Sequence, residues 1–424
     1  MKIYSDTVLA TFAKNMLCPY TLLDNNSDVA LSEVGRNDFN RYRYRHHSDF
    51  YRGDSKPSQE ILLKQMKQAL ETMLSKNKKP LLLLSDGKDS MSLAVALAEM
   101  GRPCDTLTFL RKDDLELKEY VGSVARKLGH TPYFVTVDEI LAAFDKDTFL
   151  SACAHMETPV LDQGFLFFLF GLKVFFEEVQ RPPYEYDVVD GLGNDEYFGY
   201  LPSKNQLNAY RLSKLGLWKL VPDAARTLRW YLRSPAESHG DLSSLACFFP
   251  LLSAYDLNDY FSNIPHSTEP LAFVDFRAFA RGSFHDHQCM MGKTIAAAKH
   301  FGSTAVFPWL DAKLADYCFN LPASEKFDFT NLKNKLPLRT MLETRINWQQ
   351  QKRGVDLYFD LDIESFKKKI LTAIVPDKLV ERVGRCRILP TYVQQRGYLE
   401  LLNFVGYCSA ADYRDDEIAT ILSV

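Results

Sequence analysis

The sequence lacks several features that would mark particular classes of protein. Its eight cysteines are scattered without a C-x-x-C pair, which argues against a zinc site and against a disulfide framework. Its most apolar stretch, Gly164–Leu172, is far shorter than the ~20 residues that cross a bilayer. Met1–Leu17 carries Asp6 and Lys14 where a signal peptide would have a sustained apolar core. We therefore expect a cytoplasmic protein that does not use a membrane.

The chain also lacks the basic character that is typical of nucleic-acid-binding proteins. Its net charge is −3, and the short basic runs at 41–45 and 382–387 are typical of solvated faces. There is no internal repeat and no low-complexity linker. With 424 residues, 46% of them hydrophobic, the chain is long enough for a sizeable core and two or three domains.

Strand and helix signals alternate through the first half of the chain. Four leucines, Leu81–Leu84, are typical of a strand that is buried on both faces, and helical spacing begins at Met91 and ends at Gly101. Further strands are predicted at Cys104–Leu110, Thr131–Val137 and Tyr186–Asp190, and helices at Leu62–Met73, Asp113–Leu128, Asp138–Phe149 and Gly164–Val179. This alternation predicts an α/β fold with a doubly wound parallel sheet.

The chain divides into three predicted parts. Residues 1–56 are polar and irregular and are predicted to form a small cap or arm. Residues 57–200 are predicted to form an α/β nucleotide-binding core. Strand signals fade after Leu201, so residues 201–424 are predicted to form a largely helical extension of the same 57–424 domain.

Two polar turns follow predicted strands. Ser85–Ser90 follows the leucine run directly, and Gly191–Glu196 follows the strand that ends near Asp190. Ligands of doubly wound sheets bind at the carboxyl ends of strands, and a helix N-terminus there favours phosphate, so both turns could face one site. Considered alone, the Ser85–Ser90 turn is explained equally well as an ordinary connection that binds nothing.

Four motifs in the same order resemble the synthetase domain of asparagine synthetases, which belongs to the PP-loop ATP pyrophosphatases and is shared by β-lactam synthetases and lasso-peptide cyclases. These are Ser85-x-Gly87-x-Asp89-Ser90, the Gly191–Tyr200 segment, Phe307–Asp311 with Asn320-Leu321-Pro322 and Lys326, and Lys335–Arg339. The resemblance implies that the chain adenylates a carboxylate with ATP, releases pyrophosphate, and transfers the acyl group to an amine or ammonia.

The resemblance also implies an ATP site and a Mg²⁺ site. Ser85, Gly87, Lys88, Asp89 and Ser90 would hold the pyrophosphate. In the second turn, Gly191 and Gly193 would let the backbone approach the ribose and phosphates closely. Asp89 and Asp162 would be the Mg²⁺ ligands.

The implied catalytic residues are Lys335, Glu157 and Glu196. Lys335 would stabilise negative charge in both transition states. Glu157 would deprotonate the attacking amine, although alignment on the neighbouring proline places the family's glutamate at Thr158 instead. Asp195 and Glu196 would orient Lys335 or the amine, or would only cap the following helix.

The sequence departs from the family pattern in three places. Asp86 replaces the second glycine of the phosphate loop, and Phe307–Asp311 lacks the arginine that precedes this motif in the family. Lys2 stands where the family's glutaminase domain has its cysteine nucleophile, so we expect the amine to be free ammonia, ammonia from a separate protein, or a substrate amine.

The expected partners are small-molecule or peptide carboxylates and amines, with a homodimer among the assemblies considered. Two alternatives stay open at this point. One is a catalytically degenerate module that binds ATP or AMP, which Asp86 and Thr158 would favour. The other is an adenylating enzyme that uses a different acceptor.

Overall fold

A computed structural model describes residues 9, 53–112, 114–156, 159–160, 162–199, 204–220, 290–348, 357–384 and 391–422. Its first half contains α1 (Gln59–Met73), β1 (Lys79–Leu83), α2 (Lys88–Glu99), β2 (Asp105–Leu110), α3 (Leu115–Lys127), β3 (Thr131–Thr136), α4 (Val137–Ala142), α5 (Lys146–Cys153), α6 (Phe165–Val179), β4 (Tyr186–Val189), α7 (Asn194–Phe198) and α8 (Lys204–Ser213).

The second half adds mainly helices. It contains α9 (Gly292–His300), β5 (Thr304–Val306), α10 (Ala312–Phe319), α11 (Ala323–Lys326), β6 (Phe327–Asp328), β7 (Lys333–Asn334), α12 (Leu336–Ile346), α13 (Ile363–Phe366), α14 (Thr372–Ile374), α15 (Asp377–Gly384), α16 (Thr391–Ala410) and α17 (Asp415–Ile421). Short 3₁₀ turns at Pro183–Glu185, Leu217–Leu220, Pro308–Leu310 and Leu357–Asp360, and a π-turn at Lys367–Leu371, connect them.

The central sheet has five parallel strands in the order β3-β2-β1-β4-β5. The chain builds the sheet outward from β1 through β2 to β3 and then returns to the other side of β1 with β4. This reversal places the topological switch point between β1 and β4, where Leu82 pairs with Val189. In open sheets of this kind the ligand crevice lies beyond the carboxyl ends of the two strands at the switch point.

Helices cover both faces of the sheet, because alternate side chains of the buried strands point to opposite sides. On one face Leu81 and Leu83 of β1 pack in a cluster that includes side chains of α6, α9 and α16. On the other face Leu82 and Leu84 pack with side chains of α1, α2, α3, α10 and α12. The phosphate-loop helix α2 and the α6–α9 pair therefore approach the crevice from opposite faces.

The strands and helices predicted between residues 62 and 190 are confirmed, with the region from Asp138 to Phe149 divided into α4 and α5. The described residues after Leu201 are largely helical, as predicted, and they add two short features that the sequence did not predict. Thr304–Val306 adds a fifth strand to the sheet, and β6 and β7 form a small antiparallel ladder. At two or three residues each, these strands are too short to show a readable alternation.

The boundaries at residues 56 and 200 stay predictions. Most of residues 1–56 lie outside the described part of the chain. Among the described residues, no helix has the length and apolar character that a membrane span requires.

Candidate active site

The Ser85–Ser90 turn forms a compact loop that leads into α2. Ser90 Oγ accepts a hydrogen bond from Ser85 N at 3.1 Å, and Gly87 N donates to Ser85 Oγ at 3.2 Å. Gly87 is the N-cap of α2 and has no side chain with which to cap this helix. The loop thus holds its shape through its own serines, while the amino end of a twelve-residue helix remains available to an anion.

Two tryptophans from the C-terminal half hold the carbonyl groups of this loop. Trp309 Nε1 donates to the carbonyl oxygen of Asp89 at 3.3 Å, and Trp348 Nε1 donates to that of Asp86 at 3.0 Å. Both indoles are buried. The main chain at Asp86, the residue that departs from the family pattern, is therefore anchored by Trp348, and its carboxylate is buried at the cavity described below.

The Gly191 turn lies directly against the phosphate loop. A Cβ atom at Gly191 would lie 3.0 Å from Ser90 N and 3.3 Å from the carbonyl carbon of Asp89. Gly193 has φ +98°, and a Cβ there would lie 2.8 Å from Leu310 Cδ2. The two polar turns thus meet at one place, and Gly191 is required there because of close backbone contact.

Lys335 is completely buried and makes ion pairs with both turns. Its Nζ lies 2.9 and 3.0 Å from the two carboxylate oxygens of Asp89 and 2.6 Å from Asp195 Oδ1. Burial alone would lower the pKa of Lys335, but the carboxylates of Asp195 and Asp89 outweigh burial and raise that pKa above its ordinary value. Lys335 therefore carries a firmly protonated ammonium at the junction of the two turns.

The backbone of Lys335 is itself in an unusual conformation. With φ 55° and ψ 49°, this residue is in the left-handed region, which costs a non-glycine residue about 1–2 kcal/mol. It lies between β7 and α12, and Pro337 stands in the first turn of that helix. Strain of this kind persists where the surrounding contacts fix a side chain, here through the two aspartates.

A cavity of about 400 Å³ opens beside the phosphate loop. Its polar wall comes from the two turns and includes Ser85, Gly87, Asp89, Ser90 and Gly191. Its apolar wall is made of strand, helix and loop side chains and includes Leu83, Leu107, Phe109, Phe168 and Leu357. Gly193, Lys88, Asp162 and Lys335 lie outside this lining. Burial lowers the pKa of Lys88, and the charge of Lys335 adds to this effect.

A second group of buried charges lies at the α6–α9 side of the cavity. Lys293 Nζ donates to Asp162 Oδ1 at 3.1 Å, and the same oxygen accepts from Gly164 N at 2.7 Å. Asp190 follows β4, and its Oδ2 accepts from Thr294 Oγ1 at 2.6 Å. Burial raises the pKa of Asp190.

The predicted Mg²⁺ ligands differ in how well they fit a metal. Mg²⁺ usually takes one or two carboxylates and completes its shell with water and phosphate oxygens. Asp89 fits, since its partly exposed carboxylate lines the cavity beside the loop. Asp162 fits less well, because Oδ1 is already held by Lys293 and Gly164. The described residues contain no group of three or more His, Cys, Asp or Glu that could hold a metal by themselves.

Two of the predicted catalytic residues cannot be compared with this geometry. Glu157 and the alternative Thr158 lie outside the described residues, as does the side chain of Glu196, whose backbone belongs to α7. Their roles stay predictions. Asp195, by contrast, contacts Lys335, which is the geometry that an orienting role toward this lysine requires, and that role stays a prediction.

Four residues of this site were not predicted from the sequence. Trp309 stands inside the Phe307–Asp311 motif, so its position is the one that a motif indicates. Asp190 directly precedes the second turn. Lys293 and Trp348 carry no local signal, because a single lysine at a helix start and a single tryptophan after a helix occur in many structures.

The chain has a parallel, doubly wound sheet, and the loop at its switch point leads into a helix N-terminus. These features place it in the class of α/β proteins whose folds bind nucleotides at this position. The family model described as asparagine synthase matches residues 62–378, which is more than half of the chain. The chain therefore belongs to the asparagine synthase family, whose members are ATP-dependent amide ligases. A comparison with curated proteins gave no match.

Proposed function

We propose that the chain is an AMP-forming amide ligase that adenylates a carboxylate substrate with ATP and transfers the acyl group to an amine or to ammonia. The observation that best supports this proposal is the contact between Lys335 and Asp89. It brings a buried, protonated lysine from the C-terminal half against the phosphate loop. Both steps of the reaction build negative charge on phosphate or acyl oxygens, and a fixed cation stabilises such charge.

In the first step, a carboxylate oxygen of the substrate attacks the α-phosphorus of ATP. The bond from this phosphorus to the α,β-bridging oxygen breaks, and pyrophosphate leaves with that bond's electrons. The Ser85–Ser90 loop and the uncapped amino end of α2 are suited to hold the departing phosphates. The apolar side chains of Leu107 and Phe109 in β2, which line the cavity, offer the adenine a surface.

When bound, Mg²⁺ would neutralise the charge of the leaving pyrophosphate. We propose Asp89 as its protein ligand, with Asp162 kept as the second predicted ligand. Because each of these carboxylates contacts a lysine, a metal at Asp89 would compete with Lys335 for the same oxygens.

In the second step, the nitrogen of the amine attacks the acyl carbon, the bond to the AMP oxygen breaks, and one proton leaves the nitrogen. Glu157 is the proposed acceptor of this proton. Lys335 is proposed to stabilise the oxyanion of the tetrahedral intermediate, as the positions of Asp89 and Asp195 hold its ammonium at the junction of the two turns.

A pyrophosphate-release assay with ATP, Mg²⁺ and a panel of carboxylates and amines tests this function. We expect pyrophosphate and AMP in equal amounts for at least one acid. The Asp89→Asn variant should lose this activity, whereas Asp138→Asn, at the exposed start of α4, should keep it. Formation of ADP and phosphate would contradict the proposal, and tight ATP binding without turnover for any acid would favour the binding-module alternative.

A further inference from the structure

Lys293 occupies a position that the family resemblance does not assign. It lies in the first turn of α9, only 7% of the residue is exposed, and its side chain lines the cavity. Its Nζ is 4.7 Å from the centre of the Phe168 ring, which also lines the cavity. The ammonium is thus held against an aromatic face at the cavity wall.

The ammonium of Lys293 has more N–H donors than the described residues offer hydrogen-bond acceptors. A lysine ammonium carries three N–H groups. Within the described residues, Asp162 Oδ1 is the one acceptor that a hydrogen bond joins to Lys293 Nζ. Burying a charged donor without a partner is costly, so the remaining N–H groups favour an acceptor supplied from the cavity.

The charges of the cavity wall show where an anionic group of a ligand would lie. Among the described residues that line the cavity, Asp86, Asp89 and Asp190 are acidic and Lys293 is the only basic one. An anionic ligand entering this cavity therefore meets three carboxylates and one ammonium. Because opposite charges attract strongly in a buried site, an anionic group of the ligand should lie at Lys293.

The phosphates and Lys293 belong to different sides of the site. The phosphate loop opens into α2, which packs on one face of the sheet, whereas α6 and α9 pack on the other. Lys293 Nζ would lie 3.3 Å from a Cβ atom at Gly164, the N-cap of α6. A group held here would be anionic but would not be part of the pyrophosphate that the loop receives.

We propose that Lys293 binds the carboxylate of the acyl substrate and keeps one of its oxygens in place as the other is adenylated. Asp162 is then a positioning residue, because its Oδ1, fixed by Gly164 N, holds the ammonium toward the cavity. This inference rests on the proposed function, and it assigns a substrate-binding role to a residue outside the four family motifs.

The test compares three ligands by titration calorimetry with the full chain. They are ATP, 5′-O-sulfamoyladenosine and 5′-O-(N-acetylsulfamoyl)adenosine, a stable mimic of an acyl-adenylate. The ratio of the last two dissociation constants measures the affinity that the acyl group adds together with the ionised sulfamate nitrogen, and the ATP titration reports separately on the binding of anionic phosphate. In Lys293→Met we expect this ratio to fall about tenfold or more, with ATP affinity changed less than about twofold.

Matched variants separate the charge of Lys293 from its packing. Lys293→Arg keeps a cation, so the ratio of the two dissociation constants should be closer to wild type than in Lys293→Met. Lys299→Met removes an exposed lysine of the same helix and should leave the ratio unchanged. If Lys293→Met leaves Asp162 unpaired and the protein unfolds, Lys293→Gln, which removes the charge but keeps a polar side chain with N–H donors, is used in its place.

If the ratio of the two dissociation constants in Lys293→Met equals that of wild type, the inference is overturned. An equal loss of ATP affinity would also overturn it, because Lys293 would then serve the phosphates. If the wild-type chain binds neither ATP nor either sulfamoyl compound, the proposed function fails and the inference fails with it.

Discussion

Lys335 donates hydrogen bonds to both oxygens of Asp89, at 2.9 and 3.0 Å, although 246 residues separate the two in the sequence. The contact joins the start of α12 to the first turn of α2. Asp195 completes the arrangement from the second turn. The ammonium of Lys335, which belongs to neither turn, therefore connects the two turns through ion pairs with Asp89 and Asp195.

Replacement of Lys335 should affect catalysis far more than folding. Lys335→Met removes the ammonium but keeps an unbranched side chain, and we expect kcat to fall about 100- to 1000-fold. Because the side chains of Asp89 and Asp195 remain partly exposed, water can compensate for them, and the free energy of unfolding should fall by less than about 3 kcal/mol. Steady-state kinetics and denaturant unfolding measure both effects. Lys333→Met, at an exposed position in β7, is the control, and a kcat within about threefold of wild type in Lys335→Met would contradict the assignment.

Asp195 should set the alkaline limit of activity. Burial lowers the pKa of Lys335, and the carboxylates of Asp195 and Asp89 raise it beyond its ordinary value. Asp195→Asn removes one of the two negative charges that raise the pKa of Lys335, so Lys335 should lose its proton at a lower pH. The alkaline limb of the kcat/KM profile should therefore move to lower pH, while the profile of Asp138→Asn stays unchanged. An identical alkaline limb in Asp195→Asn would show that Lys335 does not titrate in this range or does not act as the cation.

The sequence predicted the sheet well because its strands are buried on both faces and read as continuous apolar runs. The run Leu81–Leu84 and the strand at Tyr186–Asp190 both appear with bounds that differ by only one or two residues. The fifth strand was missed because Thr304–Val306 has three residues and pairs along one edge with β4. A strand this short is stabilised by its pairing with the neighbouring strand, so its own sequence contains no pattern that predicts it.

The site was predictable where residues belong to a motif and unpredictable where distant helices meet. Ser85, Gly87 and Gly191 were identified from local patterns, and they lie together as the two-turn hypothesis requires. Lys293 and Trp348 reach the cavity and the loop only because α9 and the end of α12 pack near the switch point. Their placement depends on the packing of elements that are far apart in the sequence.

The close contact at Gly191 should make this position intolerant of any side chain. In Gly191→Ala the new Cβ would lie 3.0 Å from Ser90 N, so the phosphate loop and the second turn must move apart by a few tenths of an ångström. We expect the KM for ATP to rise about tenfold or more, because the helix amino end and the loop would no longer face the phosphates together. Gly397→Ala in α16 is the matched control, since its Cβ meets nothing within 4 Å and alanine favours a helix. An ATP KM that stays at the wild-type value in Gly191→Ala would show that the two turns do not need to touch.

Glu400 should make the stability of the protein depend on pH. It is completely buried in α16, neither of its carboxylate oxygens accepts a hydrogen bond within the described residues, and Arg396 Nη2 lies 3.7 Å from Oε1. Burial raises the pKa of Glu400 well above its ordinary value, Arg396 opposes this shift, and Asp162 adds to it.

Because the folded state binds the proton of Glu400 more tightly than the unfolded state, this contribution to stability is complete below the unfolded pKa and is lost as pH rises through the folded pKa. Glu400→Gln cannot ionise, so at about pH 8 its free energy of unfolding should exceed that of wild type by about 1–3 kcal/mol, with a smaller difference at about pH 5. Guanidinium unfolding at both pH values measures the free energy of unfolding, and Glu364→Gln, at an exposed position, is the control. If wild type and Glu400→Gln show the same dependence of stability on pH, the pKa of Glu400 is not raised in the folded protein.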